Sequence, residues 1–209
     1  MPPAFAGAGS GFPLARKCDS IRGDRALGSA PVSNPEKFAT ARLAARSWRV
    51  DDLPFAMELW GDPAVMALID ARGRLTAAEV EEKLRAEIER ERAAGVQYWA
   101  LFERDGGGFA GCCGLRPWVY TQAETNFELG FHIVQRCWGK GFATEAARGA
   151  LDYGWRELRL AKLYAGHHPD NRASRHILER LGFTFLDNVF YEPTGLLHPS
   201  YVCNRPEPV

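Results

Sequence analysis

The chain has 209 residues, 46% of them hydrophobic, and its length and six tryptophans suit one domain with a sizeable core. Its 26 basic and 26 acidic side chains give zero net charge, which offers no electrostatic basis for binding nucleic acid or an anionic membrane. No apolar run approaches the roughly 20 residues that a bilayer requires. The five cysteines form no CxxC pair, so neither a zinc ribbon nor a disulfide framework is indicated. These features predict a cytoplasmic protein that holds no metal.

Residues 1–37 differ in composition from the rest of the chain. They are rich in Pro, Gly, Ala and Ser, and no apolar segment of signal-peptide length follows a basic start. This composition is typical of a flexible or poorly ordered tail. The folded domain is therefore predicted to span residues 38–209.

The first half of this domain reads as one strand followed by two helices. Ala41–Trp48 fits a strand, and a pair of aspartates followed by Pro54 predicts the start of a helix. A longer helix is predicted to begin at Thr76, because Glu79 three residues later completes a capping box. Gly95 suits the position just after the end of that helix.

Three extended segments follow, and strands then alternate with helices. The three strands are predicted at Gln97–Glu103, Phe109–Trp118 and Thr125–Val134, with a glycine-rich turn between the first two. The remaining predicted elements are a helix over residues 144–158, a strand over 162–166, a helix over 171–181, and strands over 184–191 and 200–203. This order predicts a mixed α/β sheet and not a doubly wound one.

The segment Trp138–Thr144 lies between a predicted strand and a predicted helix and contains glycines at 139 and 141. Backbone N–H groups at the start of a helix have no intrahelical partner, and the helix dipole adds partial positive charge there. Such an end suits a phosphate. The segment is neither a dinucleotide fingerprint nor a P-loop, because Thr144 stands where a third glycine would be needed and no Ser or Thr follows Lys140. We predict a phosphate-binding turn, with a plain turn as the alternative.

Two motifs together resemble those of the GNAT N-acetyltransferases. The first joins Glu128–Phe131 to Trp138–Ala146. The second, His168–Phe183, combines a helix that begins at an Asn, a Ser one turn later, and a Leu-Gly-Phe exit. More narrowly, the chain is similar to the branch of ribosomal-protein N-terminal (RimJ/RimL-like) acetyltransferases. The resemblance covers residues 38–203, and Phe38–Leu43 is similar to the usual first strand of that branch.

The resemblance implies the GNAT fold, a mixed and mostly antiparallel sheet flanked by helices in which the fourth and fifth strands splay apart. These strands would be Thr125–Val134 and Lys162–Gly166. Acetyl-coenzyme A would lie in the gap, with its pyrophosphate on the predicted phosphate-binding turn. The family signature, Gln or Arg followed by x-x-Gly-x-Gly or Ala, is read here as Trp138-x-x-Gly141-x-Ala143. A second register that starts at Arg136 would begin the helix too early.

The resemblance also implies which residues hold the cofactor. They are Ile133, Trp138, Gly139, Lys140, Gly141, Phe142, Ala143 and Asn171. Most would act through backbone N–H groups, and Lys140 would add a charge contact to a phosphate. The N–H near Ile133 would face the thioester oxygen. Asn171 would contact the pantetheine arm, although capping of its helix explains an Asn there equally well.

Acetyl transfer to an amine requires a neutral amine, a stabilised oxyanion and a proton for the leaving thiolate. Glu128 is the candidate base, and a strand Glu paired with an Arg is the alternative interpretation. His132 has even spacing from Glu128 on the same strand, so it shares that face and is the second candidate. Many GNAT enzymes protonate the thiolate with a Tyr, but the matching position here is Leu178. The resemblance to this branch implies that the Ser of the Asn-x-x-Ser motif, here Ser174, supplies the proton instead, with a surface serine as the alternative.

The resemblance predicts an N-acetyltransferase in which a primary amine attacks acetyl-coenzyme A directly in a ternary complex. The acceptor would be a protein N-terminal α-amine or a small-molecule amine, and the protein a monomer or homodimer with no nucleic-acid or membrane partner. Leu178 favours one alternative, a non-catalytic coenzyme A-binding sensor or scaffold, and a nucleotide-binding regulator is a second. The aromatic residues expected on the acceptor side, unless they are ordinary core, are Trp118, Tyr120, Phe190 and Tyr191.

Overall fold

The computed structural model describes residues 35–118 and 126–207, which contain a single eight-stranded sheet. Its strands are β1 (Glu36–Ala39), β2 (Leu43–Arg46), β3 (Tyr98–Glu103), β4 (Phe109–Trp118), β5 (Asn126–Ile133), β6 (Lys162–Gly166), β7 (Thr184–Tyr191) and β8 (Leu196–Asn204). The α-helices are α1 (Leu53–Trp60), α2 (Pro63–Met66), α3 (Ala77–Ala94), α4 (Phe142–Arg156) and α5 (Arg172–Arg180). The predicted tail, apart from its last three residues, lies outside the described residues.

The sheet is mixed and mostly antiparallel, as predicted, with the order β1-β2-β3-β4-β5-β6-β8-β7. Within the described strands, β5 and β6 form the one parallel pair. Pairing of β4 with β5 extends from Gly111–Ile133 to Trp118–Asn126, whereas β5 and β6 pair only where Glu128 meets Tyr164. The two strands therefore diverge on either side of that contact. This confirms the predicted splay, because β5 and β6 are the predicted fourth and fifth strands.

The first strand predicted over residues 41–48 is present as the shorter β2, and β1 before it was not predicted as a separate strand. A hairpin, β1–β2, occupies this part of the chain, and its turn spans residues 40–42. The Thr40 amide donates to the Leu43 carbonyl at 2.8 Å, and the Leu43 amide donates to the Thr40 hydroxyl at 3.0 Å. Glu145 on α4 holds the same turn, since it accepts from the Thr40 hydroxyl at 2.7 Å and from the Arg42 amide at 2.8 Å.

The helix ends follow local capping chemistry. The Thr76 hydroxyl accepts from the Glu79 amide and the Glu79 carboxylate accepts from the Thr76 amide, so the predicted capping box is present. Gly95 ends α3 in the left-handed conformation, with φ of 72°. Helix α4 begins at residue 142, two residues earlier than predicted, because Gly141 is its N-cap. Helix α2 was not predicted, and β8 is longer than the predicted 200–203.

Helices cover both faces of the sheet. Trp99 and Phe102 have odd spacing on β3 and so point to opposite faces, Trp99 contacting Tyr153 of α4 and Phe102 contacting Phe55 of α1. Small residues let α4 lie close to the sheet: a Cβ at Gly149 would come within 2.7 Å of the Phe38 ring. The adjacent cysteines 112 and 113 of β4 are fully buried in the core.

None of the helices within the described ranges combines the length and the apolar character needed to cross a membrane.

Candidate functional site

A cavity of about 690 Å³ opens where β5 and β6 diverge. On one side it is lined by residues 137–139 and 141–144 and by the N-terminal part of α5. On the other side it is lined by side chains from α2, α3, β3, β4 and β7. The β5 strand runs between the two sides, so the motifs singled out in the sequence meet in one space.

The cofactor turn, as we name residues 138–144, lines this cavity at every position except Lys140. Gly139 and Gly141 have φ of 74° and 79°, in the left-handed region that side-chain-bearing residues rarely adopt. The first intrahelical bond of α4 runs from the Glu145 amide to the Gly141 carbonyl at 3.1 Å. Among the described residues, no acceptor is found for the N–H groups of residues 139–144. Unpaired amides at the start of a helix fit a diphosphate.

One side chain of the signature and one from outside it fix the position of the cofactor turn. The Trp138 indole N–H donates to the Ile133 carbonyl at 2.7 Å, which ties the turn to the end of β5. The Arg42 guanidinium donates to the Lys140 carbonyl at 3.0 Å and pairs with Glu145 at 2.6 Å. Trp138 thus contributes an anchoring hydrogen bond at the position where the family has Gln or Arg. No local pattern predicted this role for Arg42, because its link to the turn depends on the β1–β2 hairpin.

Ile133 ends β5 and lines the cavity. The N–H groups of successive residues along a strand point to opposite edges, and the Val134 amide donates to Ala110 on the β4 side at 3.1 Å. The Ile133 N–H therefore points toward β6, in the region where β5 and β6 no longer pair. Whether this N–H contacts a thioester oxygen stays a prediction.

Glu128 lies in the cavity and has two polar neighbours. Its Oε1 accepts from the Tyr98 hydroxyl at 3.1 Å and lies 3.4 Å from Nη2 of Arg116. The Arg116 guanidinium also lies over the Tyr98 ring, 4.7 Å from its centroid. Burial raises the pKa of Tyr98 well above its usual value, so the phenol remains a donor to Glu128. The two interpretations of Glu128 are therefore compatible, since it faces the cavity and is paired with an arginine.

Gly130 makes this arrangement possible. A Cβ at Gly130 would lie 2.2 Å from the Tyr98 ring, a distance that no side chain tolerates. A glycine at this point of β5 lets the ring lie across the strand and reach Glu128.

His132 occupies the same face of β5, as its spacing predicted, but its lone pair is already engaged. The Trp60 indole N–H donates to His132 Nδ1 at 3.2 Å, which leaves the proton of the neutral ring on Nε2. Burial, together with the nearby charges of Lys83 and Arg116, lowers the pKa of His132 to about 3. The ring is therefore neutral and a weak base, which favours Glu128 over His132 as the base.

Helix α5 brings the second motif to the cavity. Asn171 caps the helix, because its Oδ1 accepts from the Ser174 amide at 3.0 Å. Both residues line the cavity, and no hydrogen-bond partner of the Ser174 hydroxyl is found among the described residues. Leu178, only 1% exposed, also lines the cavity and presents an apolar side chain where many relatives have a Tyr.

Three of the aromatic residues predicted for the acceptor side, Trp118, Phe190 and Tyr191, line the cavity, and Tyr120 lies outside the described residues. Lys83 and Tyr164 line it as well and received no role from the sequence analysis. The sequence did contain one signal for Lys83: it directly precedes Leu84, a member of the apolar stripe that α3 buries. In the part of the chain that the structure describes, no three His, Cys, Asp or Glu side chains are grouped so as to hold a metal ion.

The splayed strands and the cofactor turn define the GNAT class of fold. A family model described as an acetyltransferase (GNAT) domain matches residues 42–184. The chain therefore belongs to the GNAT acetyltransferase family, whose members use acetyl-coenzyme A. This confirms the resemblance inferred from the two motifs.

Individual relatives agree with this assignment. YkkB of Bacillus subtilis (strain 168) is 33% identical over 127 residues, which is 61% of this chain and 72% of that protein. Spermidine N(1)-acetyltransferase of Escherichia coli (strain K12) is 43% identical over 54 residues, 26% of this chain and 29% of that enzyme. The structure of Mycobacterium smegmatis RimJ in complex with CoA-disulfide matches with a TM-score of 0.65 and 17% identity, over 78% of this chain and 81% of that one. The structural likeness shows the fold.

Proposed function

We propose that this protein transfers the acetyl group of acetyl-coenzyme A to a primary amine by direct attack in a ternary complex. The observation that carries the proposal is the row of unpaired N–H groups of residues 139–144, in a turn that lines the cavity where β5 and β6 diverge. A family assignment alone would not distinguish a working site from a remnant. A helix start with free amides at the mouth of a cavity does fit the diphosphate of coenzyme A.

Backbone groups would hold most of the cofactor. The N–H groups of residues 139–143 would bind the pyrophosphate, and the side-chain amide nitrogen of Asn171, whose oxygen caps α5, would bind the pantetheine arm. Lys140, on the exposed outer side of the turn, would add charge near a phosphate. Acetyl-coenzyme A would supply the acyl group as a thioester.

Side chains of the cavity would carry out the two proton transfers of the reaction. In the reaction a C–N bond forms, the thioester C–S bond breaks, the amine loses a proton and the thiolate gains one. Glu128 would accept the amine proton, directly or through a water molecule, while Tyr98 and Arg116 hold its carboxylate in place. Ser174 would supply a proton to the thiolate. The Ile133 N–H would stabilise negative charge on the acyl oxygen, and loss of one such donor costs about 3 kcal/mol in other acyl-transfer sites.

One alternative is retained because of Leu178. A buried leucine at the position of the usual proton donor favours a protein that binds coenzyme A without catalysis. That alternative and the proposed reaction require the same cofactor turn, and they differ only in turnover.

The test measures cofactor affinity and turnover on the same preparation. Calorimetry gives the Kd for acetyl-coenzyme A, and a thiol reagent follows release of coenzyme A with peptides, amino acids and polyamines as acceptors. Release that depends on an acceptor, with the acetylated amine found by mass spectrometry, is the expected result. Tight binding without turnover on any acceptor would favour the sensor. A melting temperature raised by ATP and not by acetyl-coenzyme A would favour a nucleotide-binding regulator.

A further inference from the structure

One part of the cavity, lined by Lys83, Tyr98, Arg116, Glu128 and Tyr191, lies away from the cofactor turn, and we name it the acceptor lobe. Its charged members are two cations and one carboxylate. The carboxylate of Glu128 is paired with Arg116 at 3.4 Å. Lys83 is therefore the cation left over after this pair is formed.

Among the described residues, no carboxylate forms an ion pair with the Lys83 ammonium group. Its Nζ lies 5.1 Å from the centroid of the Trp60 ring. Two carboxylates lie near enough to interact electrostatically with Lys83, but each is taken by an arginine. Asp70 pairs with Arg72 at 2.6 Å, and Glu87 pairs with Arg90 at 2.5 Å.

The position is unfavourable for an isolated ammonium. Burial lowers the pKa of Lys83, Glu87 opposes this effect, and the positive charge of Arg116 adds to the lowering. A partly buried cation without a counter-ion loses hydration without an equivalent replacement. An anionic group brought by a ligand would restore the missing interaction.

We infer that Lys83 binds a carboxylate of the acceptor, so that the substrate is a primary amine that also carries a carboxylate. This inference rests on the proposed function, since it takes the acceptor lobe to be where the amine is bound. Glu128 would contact the amine and Lys83 would contact the carboxylate. Each end of the substrate would then lie next to a protein group of opposite charge. A polyamine has no anionic group, and Lys83 would repel it. Free amino acids and peptides with an acidic residue share the required chemistry.

Matched acceptor pairs test the inference. L-phenylalanine is compared with L-phenylalaninamide, and the amidated peptide Ser-Asp-Phe with amidated Ser-Asn-Phe, so that each pair differs mainly in one carboxylate. The ratio of kcat/KM within each pair is measured for the wild type and for Lys83→Met, which keeps an unbranched side chain out to Cε and removes the ammonium group. Because amidation also changes the basicity of an α-amine, the wild-type ratio is compared with the variant ratio. Arg85→Met removes an exposed charge from the same helix and serves as the control.

We expect Lys83→Met to lower the preference for the carboxylate member of at least one pair about tenfold or more, through KM. The pair that responds tells whether the carboxylate belongs to a free amino acid or to an acidic side chain. The Kd for acetyl-coenzyme A, and the ratios of Arg85→Met, should equal those of the wild type. Turnover with identical ratios in wild type and Lys83→Met would overturn the inference and leave the proposed function standing.

A binding experiment keeps the inference testable if no acceptor is turned over. N-acetyl-L-phenylalanine and its amide are titrated by calorimetry into the protein saturated with coenzyme A. Binding of the carboxylate form that is lost in Lys83→Met would support the anion site even though the proposed reaction had failed. Equal binding of the two forms, or binding of neither, would overturn it.

Discussion

Replacement of Gly141 by alanine tests the cofactor turn at its most constrained position. The φ of 79° at Gly141 lies in the left-handed region, where a residue with a Cβ costs about 1–2 kcal/mol. An added Cβ would meet only the Arg42 side chain, at an ordinary contact distance of 3.5 Å. The cost is therefore one of backbone conformation and not of a collision.

This cost should appear in the affinity for coenzyme A. If the turn of Gly141→Ala relaxes to a negative φ, its N–H groups no longer converge, and only a fraction of the molecules keeps the binding conformation. A penalty of about 1–2 kcal/mol corresponds to an increase in apparent Kd of about 5- to 30-fold. Calorimetric titration of coenzyme A into wild type and variant measures it.

Gly95 provides a matched control. It ends α3 with φ of 72°, and nothing lies within 4 Å of an added Cβ. Gly95→Ala therefore carries the same backbone penalty outside the cofactor turn, and it should lower the free energy of unfolding by about 1 kcal/mol with an unchanged Kd. A Kd that is unchanged in Gly141→Ala, or raised equally in both variants, would refute the role assigned to Gly141.

Three further changes probe the rest of the site. Glu128→Gln should lower kcat about 100-fold or more, since an amide cannot accept the amine proton, with an unchanged Kd for coenzyme A; a wild-type rate and pH profile would remove Glu128 from the mechanism. Trp138→Phe deletes the donor to the Ile133 carbonyl, a bond worth about 1 kcal/mol, and should weaken coenzyme A binding about fivefold, whereas full affinity would argue against anchoring. With the pKa of His132 lowered from 6.5 to about 3, the unfolded chain binds a proton there that the native state does not. Stability should therefore fall by about 1 kcal/mol per pH unit as pH decreases through that window. When urea denaturation is used to measure the free energy of unfolding as a function of pH, His132→Leu should show a smaller slope than the wild type. Part of the slope should remain, because burial lowers the pKa of His198 to about 4. A slope equal to that of the wild type would contradict this account.

The cofactor side of the site could be predicted because its determinants are consecutive in the sequence. Two glycines before an alanine-rich helix are enough to indicate free amides at a helix start, and Gly141 is indeed the N-cap of α4. The β1–β2 hairpin could not be predicted in the same way. The break in extended structure at residues 40–42 is held by Glu145, more than 100 positions away, which bonds both Thr40 and Arg42. No local pattern carries that information.

The acceptor lobe could not be predicted from the sequence for a related reason. Lys83, Tyr98, Arg116 and Glu128 come from one helix and three strands, and only the pairing of those strands and the packing of α3 bring them together. Each of the four is an ordinary residue in its own segment. Gly130 was the one local indication of the lobe, since a glycine inside a strand indicates close approach of another group. Here that group is the Tyr98 ring.

The two sides of the site differ in what a substitution can change. Cofactor binding would depend mainly on backbone N–H groups, so the signature position can hold Trp138, whose indole supports the turn through Ile133, without loss of the amides. Acceptor binding would depend on side chains, and the charge of the lobe changes with a single replacement at Lys83. Specificity for the acceptor should therefore vary among relatives that bind the same cofactor in the same way. The acceptor of a relative that matches only part of the chain can therefore be assigned to this protein only if the residues of that relative that correspond to Lys83 and Arg116 carry the same charges.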